Sequence, residues 1–196
     1  MTDATVLIVP GLRDHVAEHW QTLLAARLVS LGIDVRTVPP MGRSDLDCGT
    51  RVGALEREAN TIDGPVTLVA HSGGVLTVVH WARRSCRPIR GALLATPADF
   101  EQPMPDGYPT VERLRDGGWL PVPRDRLPFP SIVAASRNDP LGRFERVAEL
   151  GQTWGSCVVD LGPVGHLNPA SGYGQWSRAE QFIRELSAQG AAALAT

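Results

Sequence analysis

A chain of 196 residues, 43% hydrophobic and 20% charged, is long enough to bury its own core and too apolar to remain disordered. A formal charge of −2 supplies no basic field, which argues against a nucleic-acid partner. Three widely spaced cysteines, Cys48, Cys86 and Cys157, offer no zinc or dithiol motif and fit reduced thiols in a cytoplasmic protein.

In chain order, "TVLIVP" (5–10) predicts a buried strand, and its run is too short and its flank too acidic for a signal peptide. Residues 17–31 place Leu23, Leu24, Leu28 and Leu31 at helical spacing. A strand at "DVRTV" (34–38) and a helix over 51–61 follow, then a strand at "VTLVA" (66–70) and a helix over 74–85. Residues 64–82 lack any Lys, Arg, Asp or Glu, yet two histidines, a serine and a Gly-Gly pair at mid-bilayer exclude a membrane span. A fourth strand is expected at "GALLAT" (91–96). Residues 97–130 are proline-rich and aperiodic, apart from a short helix in "TVERLRDGG" ending at Gly117. A stretch this long reads as a lid-like insertion that covers part of the pocket, or else as a wandering surface loop. Strands at "SIVAAS" (131–136) and "CVVDL" (157–161) alternate with helices over 143–153 and 176–188, and the Ala-rich tail after Gly190 reads as frayed. Short β-branched runs alternating with helices predict one α/β domain over 1–196, a mostly parallel sheet covered on both faces.

The stretch "VAHSGG" interrupts two apolar runs. A serine on a sharp strand-to-helix turn projects its hydroxyl from the top of the sheet, provided small residues flank it two positions either side. Here those are Ala70 and Gly74 around Ser72, an A-x-S-x-G pattern. Serine at a helix start is also an ordinary N-cap, so the motif needs partners. A base and an acid must reach the same sheet edge in the order Ser, Asp, His. "RNDP" after the fifth strand delivers Asp139, and "GPVGH" after the sixth delivers His166. Asp99, after the fourth strand, is a second candidate acid, whereas Asp160 lies inside its strand. His71 is expected to pack behind the nucleophile, and His19 and His80 to be structural within their helices.

The oxyanion of an acyl transfer needs two backbone donors. Gly73, after the serine, is one; Leu12, in the "VPGLRDH" turn after the first strand, is the candidate second. His15 on that turn and Trp119 in the irregular segment are expected against substrate. No residues share zinc-site spacing, so no metal is expected.

The blocks "VLIVPGL", "EHWQ", "VAHSGG", "ATPADFE", "LPFPSIVAASRNDP" and "DLGPVGHLNPASGYGQW" resemble the small bacterial serine hydrolases related to retinoblastoma-binding protein 9. The similarity runs in order along nearly the whole chain. It implies a reduced α/β-hydrolase fold, a three-layer sandwich around a six-stranded parallel sheet in order 2-1-3-4-5-6. It also implies a Ser-Asp-His triad at Ser72, Asp139 and His166. The chain departs at Gly73, where the family often carries a bulkier residue.

The expected activity is cleavage of an ester or another activated acyl bond of a small molecule through an acyl-enzyme, without cofactor or membrane. A thioesterase or amidase would use the same groups. The rival reading is a protein-interaction module with a vestigial triad.

Overall fold

The computed structural model describes residues 4–13 and 16–193. Six strands form one parallel sheet in the order β2-β1-β3-β4-β5-β6, as expected. They are β1 (Thr5–Val9), β2 (Val35–Thr37), β3 (Val66–His71), β4 (Ile89–Ala95), β5 (Ser131–Ala135) and β6 (Cys157–Asp160). The helices are α1 (Trp20–Ser30), α2 (Cys48–Asn60), α3 (Gly73–Ala82), α4 (Val111–Asp116), α5 (Phe144–Thr153) and α6 (Arg178–Ala193).

Alternation explains why the central strands read as unbroken apolar runs. Successive side chains point to opposite faces, and both faces are covered. Val6 and Ile8 of β1, Val69 of β3 and Leu93 of β4 meet Trp20 and Leu24 of α1 and Phe182 and Leu186 of α6. Leu7, Leu68 and Leu94 face the other way, onto Leu55 of α2, Leu76 and Val79 of α3 and Leu150 of α5. The result is three layers, an α/β-hydrolase fold.

Several boundaries differ from expectation by a few residues, with α1 over 20–30 and α3 over 73–82, and two of the differences have a visible cause. Helix α2 starts at Cys48 because Asp47 caps it, its carboxylate accepting the Thr50 N–H. Helix α6 continues to Ala193, its Gly190 passing so close to β4 that a Cβ there would lie 1.9 Å from the Arg90 carbonyl oxygen. Among the described residues no helix is long and apolar enough to cross a membrane.

The irregular segment divides in two. Its second half is core: Leu114 on α4, Trp119, Val122, Leu127 and Phe129 are buried against α2, α3 and α5. The short helix α4 ends at its Gly117 cap, where the sequence places its end. Only the first half reaches the edge formed by the C-terminal ends of the strands.

Candidate active site

Strand β3 turns into α3 through Ser72, whose φ of 56° and ψ of −127° are conformations an L-residue rarely adopts. Close packing imposes the turn. A Cβ on Gly74 would stand 2.4 Å from the carbonyl oxygens of both Val9 and Pro10. Only a residue without a side chain lets α3 start this near the end of β1. Ser72 makes no side-chain cap to its own helix, which disposes of the ordinary N-cap reading. Its Oγ lies 2.8 Å from His166 Nε2.

His166 and Asp139 arrive from the ends of β6 and β5. Asp139 Oδ1 and Oδ2 lie 2.9 and 2.8 Å from His166 Nδ1. A carboxylate only accepts, so Nδ1 carries the proton, which leaves Nε2 of the neutral ring bare to accept from the serine hydroxyl. Both residues are buried, and Asp139 Oδ1 also accepts the Leu141 N–H at 2.8 Å. The three sequence candidates thus meet, with Ser72 and His166 separated by 94 positions in the chain.

The loops that carry them are tied together by polar groups that sequence reasoning did not single out. Asn138 Oδ1 accepts the Gly165 N–H at 2.6 Å, joining the acid loop to the histidine loop. Ser171 Oγ accepts the His166 N–H at 3.0 Å and donates to Asn168 Oδ1 at 2.9 Å. Gly165 has φ of 60°, and a Cβ there would stand 2.5 Å from Ser171 Oγ. These residues lie inside the "SRNDP" and "GHLNPAS" blocks, whose density in polar groups was the available signal.

Asp99 is otherwise engaged. It is buried after β4, with Oδ2 3.1 Å from Arg146 Nε and Oδ1 accepting the Glu101 N–H. Asp160 is exposed at the end of β6 and paired with Arg137, whose hydrogen bond holds its carboxyl below the usual range. His71 packs between His19 and His166, each ring centroid 4.8 Å away. Its Nε2–H donates to the His166 carbonyl at 2.9 Å. Burial, then the neighbouring imidazoles of His166 and His19, push its pKa well below that of an ordinary histidine.

A cavity of about 290 Å³ opens over Ser72. Its wall is mainly apolar, built from Leu12, Ala98, Phe100, Met104, Tyr108 and Leu141. The loop after β1 runs against Ser72, so close that a Cβ on Gly11 would stand 3.3 Å from Ser72 Cβ. Leu12 then covers Gly73, where an added Cβ would stand 2.6 Å from Leu12 Cγ and 3.1 Å from Phe100 Cζ. The space that a bulkier residue would take at Gly73 is thereby filled by Leu12 and Phe100. As the first residue of α3, Gly73 has an N–H with no intrahelical acceptor.

Trp119 does not line this cavity. It is fully buried, its indole N–H donates to the Leu46 carbonyl at 2.7 Å, and its ring packs edge-on to Phe100 at 5.3 Å. It therefore backs the wall rather than forming it, because its one polar atom is already satisfied in the core. The expected pocket segment contracts to 98–109, since the later half is structural. His15 lies outside the described residues. His19, read as structural, caps α1 through its Nδ1 and also borders the cavity.

A serine on a strained elbow above a parallel sheet, backed by histidine and carboxylate at the same edge, marks an α/β-hydrolase. The chain belongs to the serine hydrolase family, whose sequence model matches residues 6–185. It is 30% identical to a YdeN-like hydrolase from Pectobacterium atrosepticum over 95% of this chain and 92% of that one, with a TM-score of 0.78. The ydeN gene product of B. subtilis shares the fold at 17% identity and a TM-score of 0.76, over 93% of this chain and 98% of that one. Est1E from Butyrivibrio proteoclasticus does so at 15% identity and a TM-score of 0.68, over 98% and 89%. A comparison with curated proteins finds no match.

Proposed function

We propose that this serine hydrolase cleaves carboxylic esters of small acyl substrates through an acyl-enzyme on Ser72. The hydroxyl attacks the substrate carbonyl while His166 Nε2 takes its proton, and the Asp139 carboxylate stabilises the resulting imidazolium. The developing oxyanion is received by the N–H groups of Gly73 and Leu12. As the tetrahedral adduct collapses, His166 returns the proton to the leaving alkoxide. Water then attacks the acyl carbon with His166 again as base, releasing the acid and restoring the serine. No step draws on a metal or cofactor. The cavity of about 290 Å³ is at the small end for ligand sites, which favours a short substrate. The 98–109 wall, with Phe100, Met104 and Tyr108, is placed to limit acyl length. Three free cysteines suit a reducing, cytoplasmic setting.

One observation carries this reading: Ser72 forgoes capping its own helix and instead meets His166 at 2.8 Å from a strained backbone. The test is labelling with a fluorophosphonate probe followed by peptide mapping. Label is expected on Ser72 and lost in Ser72→Ala. An inert Ser72 in folded protein would return the chain to the interaction-module reading.

A further inference from the structure

The cavity over Ser72 carries charge that ester cleavage does not itself require. Among its described lining residues are two arginines, Arg13 and Arg43, and no aspartate or glutamate. The remainder of the wall is apolar apart from histidines, Asn168, Ser72 and the Tyr108 hydroxyl. A substrate entering the site therefore meets the Arg13 guanidinium beside a largely apolar surface.

Arg13 is also held in place. It follows Leu12 on the loop after β1 and reaches the 98–109 wall, where its Nη2–H donates to the Gly107 carbonyl at 2.8 Å. Its guanidinium carbon lies 3.8 Å from the centroid of the Tyr108 ring. The hydrogen bond uses one of the five N–H donors, and the ring occupies one face of the planar group. The remaining donors form part of a rigid fork whose geometry matches a carboxylate. A guanidinium fixed beforehand loses little freedom when it binds an anion. Its position matters as well, because the neighbouring residue supplies the proposed oxyanion N–H. An anion drawn to Arg13 would steady the loop that receives the reacting carbonyl.

We infer that the preferred substrate is an ester that also carries a carboxylate, bound by Arg13 at the rim with Arg43 lining the same cavity. This inference rests on the esterase reading of Ser72.

Two matched ester pairs test it, each corrected for uncatalysed hydrolysis. The first compares mono-p-nitrophenyl glutarate with p-nitrophenyl valerate, which places the carboxylate on the acyl side. The second compares 4-carboxyphenyl acetate with phenyl acetate, which places it on the leaving group. In at least one pair the carboxylated member should show kcat/KM higher by about tenfold, the scale of one charge-assisted contact at a partly exposed site. The pair that responds locates the carboxylate. The preference should shrink to roughly twofold or less in Arg13→Gln and fall steeply in 0.5 M NaCl, as a screened rim charge must. Equal or better turnover of the neutral ester in both pairs overturns the inference, as does a preference that survives high salt. The salt series decides the matter even if Arg13→Gln fails to fold. Fluorophosphonate labelling of the same preparation separates the two levels. Labelled Ser72 without carboxylate preference defeats this inference alone, and unlabelled Ser72 defeats the esterase reading beneath it.

Discussion

His71 should make the fold sensitive to mild acid. The residue is buried between His19, His166 and Trp20, and donates from Nε2 to the His166 carbonyl at 2.9 Å. Burial is the largest cause of its lowered pKa, followed by His166 and His19. The unfolded chain takes up a proton at this position near pH 6.5, the ordinary value, whereas the folded chain keeps the ring neutral to well below it. In that interval the unfolded state binds one more proton, so stability rises with pH. The contribution is fully present above about pH 6.5 and is lost as the pH falls. One proton corresponds to 2.303RT per pH unit, so moving from pH 7.5 to 5.5 should remove about 1 kcal/mol. His80 acts in the same direction, its pKa also lowered chiefly by burial, so the wild-type loss alone is ambiguous. His71→Gln isolates the effect, since glutamine keeps an N–H donor for the His166 carbonyl and does not titrate. Urea unfolding followed by tryptophan fluorescence at the two pH values should show wild type losing about 1 kcal/mol more than the variant. Parallel losses in the two proteins would refute the argument.

The acid assignment and the elbow can be tested by single substitutions. Asp139→Asn should lower kcat on p-nitrophenyl butyrate by about 10⁴-fold, while Asp99→Asn, whose carboxylate serves Arg146, should cost less than about tenfold, since it touches no reacting group; the reverse ranking would unseat Asp139. Gly74→Ala should destabilise by about 2–3 kcal/mol in urea titration, because the contacts at 2.4 Å are with backbone oxygens that cannot rotate away. An unchanged urea midpoint would mean that the elbow is looser than its geometry implies.

The parts legible in the sequence are those governed by period and chain order. Strands β1, β3, β4 and β5 are buried on both faces, so their apolar runs announce them. The edge strands are less regular: β2 pairs over Val35–Thr37 only, shorter than its apolar pattern. The meeting of Ser72, Asp139 and His166 could be anticipated because each sits at the end of a parallel strand, and parallel strands all end at one edge. Trp119 was misread for a physical reason. Large aromatics in an aperiodic segment can wall a pocket or anchor the segment, and only the packing beneath α4 decides between them. Arg13, Arg43 and His19 carried no signal of their own. They stand on loops with no period, and only the tertiary placement of those loops brings them to one cavity.

Backbone strain is concentrated at this same edge. Among the described residues the non-glycine positions with positive φ are Ser72 at 56°, Thr96 at 40° and Leu167 at 49°. The first directly follows β3, the second directly follows β4, and the third follows His166. Each such conformation costs on the order of 1–3 kcal/mol and persists only where its surroundings over-determine it. Here the determinants are interlocked. The Ser72 N–H donates to the Ala95 carbonyl at 3.0 Å, and the Thr96 N–H donates to the Ala134 carbonyl at 2.8 Å. Ser72, β4 and β5 are thus stitched in series just where the strain is held. A serine placed by rotamer freedom alone would turn back to cap α3, as serines at helix starts ordinarily do. Because its backbone is fixed instead, the approach to His166 is set by the register of three central strands. Loosening that register should therefore disturb the site before it unfolds the protein.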